Sequence, residues 1–369
     1  MILTRNFVTY SKFQTMTLPT NNYVGCIIGG AIGDALGAPT EFKSLYSLQE
    51  QYGPNGANDY IEFEDGKGEI TDDTQMLLFT AEGLLRAYNR AMERGIGGAY
   101  LQFCYEAYLR WLHTQNDWHS EKALKKVNID GWLINQEFLY KRRAPGQTCL
   151  TALRSKKMGT IAHPINDSKG CGGIMRVAPV GLIYANSAEI AFKMGAEIAA
   201  ITHSHPSGYL SSGYLAALIF LINRGFPLND AITICLELLA QYPNHEETRD
   251  AINDALTLHK QGEPDYIKVN KLGQGWVGEE ALAISLYCAL SYPNDFEKAI
   301  NLAINHDGDT DSTGSITGNI LGLILGEDAI PQRWKTNLNN YTEIKQVALD
   351  LFDAANNNSD SDWRRRFKE

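Results

Sequence analysis

The sequence predicts an all-α fold, a compact single-domain orthogonal bundle of more than a dozen helices. Apolar residues recur at helical spacing in one segment after another, and patterns typical of β-strands are almost absent. Prolines separate several of these segments. We expect the main helices at residues 23–37, 73–93, 97–113, 187–202, 207–224, 228–241, 246–262, 279–291, 295–305 and 315–325.

Composition and charge exclude several classes of protein. Apolar residues make up 44% of the 369 residues, which is enough for a large core. The formal net charge of −10 argues against general binding to nucleic acids or anionic membranes. No stretch has the length and apolarity of a membrane span, and the N-terminus lacks a signal peptide's features. Six scattered cysteines without a CxxC pair are typical of reduced thiols, so we expect a cytoplasmic protein.

Three regions of the chain differ in character. Residues 1–22 lack periodicity and predict either a flexible N-terminal extension or an arm that binds a partner protein. Residues 23–355 are expected to form one domain, and the polar C-terminal tail, residues 356–369, is expected to fray. Within the domain, residues 46–70 predict a surface loop, and the basic run at 141–143 predicts a solvated surface.

Small residues dominate the predicted helices at 23–37 and 315–325. Glycine recurs at every fourth position, which puts the glycines on one face and predicts that another backbone packs closely there. Asp34 is a lone charge in the first helix, and we expect a buried, hydrogen-bonded structural carboxylate. The glycines are Gly25, Gly29, Gly33, Gly37, Gly314, Gly318 and Gly322.

Three carboxylates lie within residues 307–311, at the start of the second small-residue helix. Asp309 and Asp311 lie at this loop-to-helix junction, where an aspartate can cap the helix and favour its dipole. Capping accounts for one carboxylate, but three like charges repel each other unless a cation or solvent offsets them. Hard oxygens on a short loop also suit magnesium, manganese or calcium, so capping and metal binding both stay open here.

A second acidic junction of the same design precedes the helix at 73–93. It consists of Thr71, Asp72, Asp73 and Thr74, and it too fits either a helix cap or a ligand set. If the two junctions face each other, they supply four aspartates and several hydroxyls. That set is sufficient for two divalent ions with open positions for water.

Two other motifs and one stripe admit simpler readings. The glycine cluster at 170–173, followed by Arg176, predicts either a plain turn or backbone amides directed at an anion such as phosphate. His203 and His205 lack the further ligands of a zinc site, so we expect one of them to be a hydrogen-bonding pocket residue. The aromatic stripe in 97–113 predicts core packing.

Five blocks, taken together and in this order, resemble the ADP-ribosylglycohydrolase family. They are GCIIGGAIGDALGAPTE at 25–41, TDDT at 71–74, GCGGIMRVAP at 170–179, THSHP at 202–206 and GDTDSTGSITGNILGLILG at 308–326. The resemblance covers roughly residues 23–335 and leaves residues 1–22 outside. It implies a compact all-helical fold with a central cleft that holds a binuclear magnesium or manganese centre.

The resemblance also implies roles for individual residues. Glu41, Asp73 and Asp309 would be catalytic, with Glu41 on a loop that gates the cleft. The ligands of two divalent cations, Mg²⁺ or alternatively Mn²⁺, would be Thr71, Asp72, Asp73, Asp309, Asp311 and Ser312. The walls around ADP-ribose would include Gly172, Gly173, Met175 and His203.

The implied reaction is hydrolysis of the N-glycosidic bond between ADP-ribose and a modified protein side chain, with arginine favoured over serine or a nucleic-acid base. Its partner would be an ADP-ribosylated protein. Phosphodiester hydrolysis also suits a two-metal site and stays open. A different class of function is an immunity protein, which would occlude an ADP-ribosylating toxin through residues 1–22, with or without hydrolase activity.

Overall fold

The computed structural model describes residues 17–63, 66–115, 129–183, 185–358 and 361–368. These residues form seventeen α-helices and four short 3₁₀ helices, and their extended pairing is limited to two isolated β-bridges. The predicted all-α fold is confirmed. The arm predicted within residues 1–22 lies largely outside the described residues, which begin at residue 17.

The helices follow one another along the chain with short connections. They are α1 (Thr20–Gly37), α2 (Leu45–Tyr52), α3 (Asp72–Arg94), α4 (Tyr100–Thr114), α5 (Gln147–Arg154), α6 (Ala178–Leu182), α7 (Ala188–Ala200), α8 (Pro206–Asn223), α9 (Leu228–Leu239), α10 (Glu246–His259), α11 (Tyr266–Asn270), α12 (Gly278–Ser291), α13 (Phe296–Ala303), α14 (Thr310–Leu325), α15 (Gln332–Asn337), α16 (Tyr341–Ala355) and α17 (Trp363–Arg366).

Helices α1 and α14 pack antiparallel with their backbones in close contact. A Cβ atom added to Gly33 would lie 2.0 Å from the carbonyl oxygen of Gly314, and one added to Gly322 would lie 1.9 Å from that of Gly25. Only glycine fits at such positions. The predicted close approach is therefore confirmed. Its consequence is that the start of α14 lies beside the end of α1.

The aromatic stripe of α4 belongs to the core, as predicted, with Tyr108 and Trp111 fully buried. All six cysteines are free thiols, and five of them are buried. Among the described residues, no helix combines the length and the apolarity that crossing a bilayer requires.

Two surface predictions are wrong. Residues 45–52 lie in a stretch predicted as loop, but they form α2, which Ser44 caps by accepting a hydrogen bond from the Ser47 amide at 3.1 Å. Arg143 lies in the basic run predicted to be solvated, but it is only 1% exposed. Its Nη2 pairs with Oε2 of Glu69 at 2.7 Å, so a partner distant in sequence permits its burial.

The C-terminal segment is docked rather than frayed over residues 361–368. Trp363 and Phe367 are fully buried. The side-chain amide of Asn89 donates to the carbonyl oxygens of Arg364 and Phe367 at 3.0 and 3.2 Å. Two aromatic anchors therefore outweigh the polar composition that predicted fraying.

Candidate active site

An acidic cleft of about 320 Å³ opens where α1, α3 and α14 meet. The loop after α1, the starts of α3 and α14, and three loops of the middle of the chain contribute to its walls. No lysine or arginine is among its described lining residues. These are Glu41, Phe42, Asp72, Asp73, Ala144, Pro145, Gly146, Gln147, Thr148, Cys149, Gly170, Cys171, Gly172, Met175, His203, Trp276, Asp309, Asp311 and Ser312.

Asp34 fastens the start of α3 to α1. It is completely buried and accepts hydrogen bonds from the backbone amides of Thr71 and Thr74, each at 3.1 Å. It also accepts from their hydroxyls, at 2.8 and 2.5 Å. The prediction of a buried, hydrogen-bonded carboxylate is confirmed. Burial, and then the charge of Asp311, raises the pKa of Asp34 to about 7.

The two acidic junctions meet at the floor of the cleft. The hydroxyl of Thr71, which caps α3, lies 3.3 Å from Oδ2 of Asp311 on α14. Asp309 caps α14 by accepting a hydrogen bond from the Ser312 amide at 3.2 Å. Asp72 accepts from the Gly146 amide at 3.0 Å, whereas the buried Oδ1 of Asp73 has no hydrogen-bond partner.

Electrostatic repulsion concentrates at this floor. Burial, followed by the charges of neighbouring aspartates, raises the pKa of Asp73 well above its ordinary value. Asp309 is shifted in the same direction for the same reasons. Burial also raises the pKa of Asp72 to about 8. Such shifts mean that the carboxylates crowd one another in a poorly solvated place, where a cation would offset their charge.

The donor set fits a hard divalent cation. It consists of carboxylate and hydroxyl oxygens, and it includes the unpartnered Oδ1 of Asp73. Within the described parts of the chain, no three His, Cys, Asp or Glu side chains already stand in an arrangement that could hold an ion. The metal-binding roles of Thr71, Asp72, Asp73, Asp309, Asp311 and Ser312 therefore stay predictions.

Glu41 and Phe42 reach the cleft from the loop between α1 and α2. Glu41 is half-buried, and burial, then the charges of Asp311 and Asp309, raises its pKa to about 10. The Phe42 ring stacks on Trp276, with ring centroids 5.1 Å apart and planes inclined by 23°. Sequence reasoning missed both aromatic residues. A tryptophan between glycines at 273–278, and a phenylalanine directly after Glu41, were the available signals.

His203 and Gly172 form one wall. A Cβ atom added to Gly172 would lie 2.9 Å from Cε1 of His203, so the glycine lets the imidazole approach the backbone. Nδ1 of His203 lies 2.9 Å from the Thr202 hydroxyl. Burial, and then the charge of Arg176, lowers the pKa of His203 to about 3, so the ring is neutral near pH 7. Met175 completes this wall and is 2% exposed.

Other residues near the glycine cluster serve the fold. Gly173 packs behind the wall, where an added Cβ would lie 3.1 Å from that of Ala199. Arg176 is fully buried away from the cleft, with its guanidinium 4.2 Å from the Tyr108 ring centroid and 2.7 Å from the Thr202 hydroxyl. The suggested role of Arg176 in charging an anion site is therefore wrong. His205 caps α8 by accepting from the Ser207 amide at 3.2 Å.

A larger cavity, about 530 Å³, lies beside α15 and α16. Its wall includes Glu327, whose carboxylate pairs with Lys345 at 2.9 Å. Because this charge is already matched, the cavity lacks the concentration of unpaired carboxylates that marks the acidic cleft. The acidic cleft is accordingly the candidate active site.

Comparison with known proteins agrees with this architecture. A family model described as ADP-ribosylglycohydrolase matches residues 16–361. An uncharacterized protein of Archaeoglobus fulgidus is 26% identical over 338 residues, which cover 89% of this chain and 95% of that protein. The ADP-ribosylarginine hydrolase Tri1 of Pseudomonas putida is 23% identical over 340 residues, which cover 90% of this chain and 78% of that protein.

A solved structure shows the same fold. A chain of an ADP-ribosylglycohydrolase-related protein complex superposes with a TM-score of 0.63, over 91% of this chain and 98% of that chain, at 24% identity. The family model spans nearly the whole described chain and includes both acidic junctions. The chain therefore belongs to the ADP-ribosylglycohydrolase family, a family of enzymes that hydrolyse ADP-ribose linkages.

Proposed function

We propose that this protein hydrolyses the N-glycosidic bond between ADP-ribose and a modified arginine side chain of a protein, and so reverses mono-ADP-ribosylation. The observation that carries the proposal is the convergence of the two acidic helix starts in one cleft, together with Glu41. The choice of arginine is supported by the name of the Pseudomonas putida relative.

The family generally depends on two metal ions. In this chain the ligands would be the hydroxyls and carboxylates of the two junctions, from Thr71 to Asp73 and from Asp309 to Ser312. When bound, Mg²⁺ or Mn²⁺ would supply Lewis acidity next to the ribose and its attacking water. The uncompensated carboxylates and the unpartnered Oδ1 of Asp73 support this assignment.

Glu41 would act as the general base toward the attacking water. Its carboxyl group is protonated near pH 7 while only aspartates surround it, because its pKa is about 10. A positive charge at the cleft floor would lower that pKa, and the carboxylate could then accept the water's proton. Its half-buried position on the loop after α1 keeps it within the cleft wall.

Asp34 and Thr71 would keep the catalytic floor rigid. The four hydrogen bonds to Asp34 fix the first turn of α3, and with it the backbone that carries Asp72 and Asp73. A site held by buried hydrogen bonds loses little entropy when substrate binds. The neutral ring of His203 and the bare backbone of Gly172 would line the space for ADP-ribose.

The test is a release assay on proteins or peptides that carry ADP-ribose on arginine, on serine or on a nucleic-acid base. Asp73→Asn should lower the release of ADP-ribose from arginine about 100-fold or more, because one hard ligand is lost. Asp167→Asn, at an exposed aspartate outside the cleft, is the matched control and should behave as the unmodified chain.

Two outcomes would overturn the proposal. One is release that is unchanged by a chelator and by Asp73→Asn. The other is intact ADP-ribose on the treated protein together with a cut phosphodiester bond, which would favour phosphodiester hydrolysis. Faster release from serine than from arginine would keep the reaction but reject the arginine assignment.

A further inference from the structure

Phe42 and Trp276 form an aromatic pair across the mouth of the cleft. Their rings are stacked, and both line the same cleft as the acidic side chains. Phe42 is nevertheless 75% exposed, although a large apolar ring is usually buried. An exposed ring that stacks on a cleft residue is held by that one contact far more than by a core, so the contact can break and reform.

Trp276 is the fixed side of the pair. Its carbonyl oxygen accepts a hydrogen bond from the Cys171 amide at 3.1 Å, and the Gly278 amide donates to Lys169 at 2.8 Å. On the other side, the Asp309 amide donates to the carbonyl oxygen of Gln274 at 2.8 Å. The segment that carries Trp276 is thus hydrogen-bonded both to the glycine cluster and to the start of α14.

Phe42 is the movable side. Its loop is tied to the fold at both ends, by the Thr40 hydroxyl at the Ile304 carbonyl oxygen (2.9 Å) and by the Leu45 amide at Oδ1 of Asp307 (2.6 Å). Between these ties, Phe42 has a φ of 63°, a left-handed conformation that is unfavourable for a bulky residue. The cost of this conformation is similar in size to the gain from one aromatic pair, so closed and open loops differ little in free energy.

Glu41 lies directly before Phe42, so the position of the ring sets the position of the carboxyl group. In the stacked arrangement Glu41 lines the cleft and interacts with the charges of Asp311 and Asp309. Those like charges push the Glu41 carboxylate outward whenever no cation offsets them. The stack on Trp276 is the opposing contact.

We propose that the stack of Phe42 on Trp276 is a latch that holds the loop at residues 38–44 closed and keeps Glu41 over the acidic floor. Trp276 is then a positioning residue that acts on Glu41 through Phe42. The role of Glu41 in this inference rests on the proposed function. Parting of the rings opens the loop for substrate entry and product release, and restacking excludes water from the reaction.

Hydrogen–deuterium exchange in the full chain tests the latch without any substrate. Phe42→Ala and Trp276→Ala should each speed exchange within residues 38–44 about fivefold, as expected for the loss of one aromatic pair. The double variant should exchange no faster than the faster single variant, because both changes remove the same contact. Phe42→Tyr keeps the ring and should exchange like the unmodified chain.

Tyr46→Ala is the matched control, since Tyr46 is also 75% exposed and lies on the adjoining α2. It should change neither exchange at 38–44 nor turnover. The high exposure of Phe42 predicts that Phe42→Ala folds with an unchanged melting temperature. Turnover of ADP-ribosyl-arginine protein should fall in Phe42→Ala through kcat, while the affinity for free ADP-ribose changes little.

Unchanged exchange at residues 38–44 in both alanine variants would overturn the latch. Faster exchange that spreads over the whole chain would equally reject it, because that pattern reports general destabilisation. Failure of the proposed function is a separate result. If Glu41→Gln retains full turnover while the exchange pattern holds, the latch stands and the catalytic role of Glu41 fails.

Discussion

The hydroxyl of Thr71 lies 2.8 Å from Oδ1 of Asp34 and 3.3 Å from Oδ2 of Asp311, a residue 240 positions further along the chain. A hydroxyl has a single proton, so it donates fully to one of these carboxylates at a time. The shorter contact favours Asp34. Asp311 therefore keeps an oxygen with spare acceptor capacity, directed at the point where α1, α3 and α14 meet.

Removal of the Thr71 hydroxyl should loosen this junction. We expect Thr71→Val to lower the free energy of unfolding by about 1–2 kcal/mol, because it deletes the cap of α3 and leaves buried carboxylate oxygens short of a donor. Urea denaturation measures the change. Thr71→Ser keeps the hydroxyl and should cost far less. Equal losses in the two variants would show that the methyl group, not the hydroxyl, matters.

The contact between α1 and α14 should not tolerate a methyl group. Gly33→Ala would place a Cβ 2.0 Å from the carbonyl oxygen of Gly314, so we expect a loss of about 1–3 kcal/mol or more in the free energy of unfolding. Gly66→Ala is the control, because its Cβ would meet its nearest neighbour at an ordinary 3.4 Å. Equal stability of the two variants by thermal denaturation would contradict the close packing.

The stability of the metal-free protein should fall as the pH rises. Burial raises the pKa of Asp72 from 3.8 to about 8 and that of Glu41 from 4.5 to about 10. The folded chain then retains protons that the unfolded chain loses above about pH 4, so this stability is full at low pH and is lost through pH 8 to 10. Each such proton contributes a slope of about 1.4 kcal/mol per pH unit.

Thermal denaturation from pH 5 to pH 9, with EDTA and then with Mg²⁺ or Mn²⁺, measures this dependence. Divalent ions should raise the melting temperature most at the alkaline end, because they stabilise the ionised carboxylates. A melting temperature that is the same with EDTA and with ions across this range would contradict the assignment of the cluster.

His203 should act through contact rather than through proton transfer. Its pKa of about 3 keeps the ring neutral from pH 5 to pH 9, so no step in that range should follow its titration. We expect His203→Ala to weaken binding of free ADP-ribose about tenfold, the loss of a contact worth roughly 1.4 kcal/mol. Calorimetric titration at pH 5.5 and pH 8 should give the same ratio between variant and unmodified chain.

Much of the site could be predicted because short motifs carried the information. Glycine at every fourth position in two segments predicted the contact of α1 with α14, and hydroxyls paired with aspartates predicted two helix starts. The pairing of Arg143 with Glu69 could not be predicted, because periodicity reports which side of a helix is buried and says nothing of distant partners.

The docking of Trp363 and the stacking of Phe42 on Trp276 were missed for the same reason. Each depends on one ring that meets a surface built from distant parts of the chain. Composition alone made the C-terminal segment look like a tail, and the exposed loop after α1 showed no periodicity. Such contacts become visible only when the helices are in place.

The central claim is that two acidic helix starts, remote in sequence, form one cation site. Titration calorimetry with Mn²⁺ on the unmodified chain, on Asp73→Asn and on Asp311→Asn tests it most directly. We predict that each substitution weakens Mn²⁺ binding at least about tenfold, and that the double variant is far from additive, because both residues serve the same site. Unaltered Mn²⁺ binding in either single variant would contradict the claim.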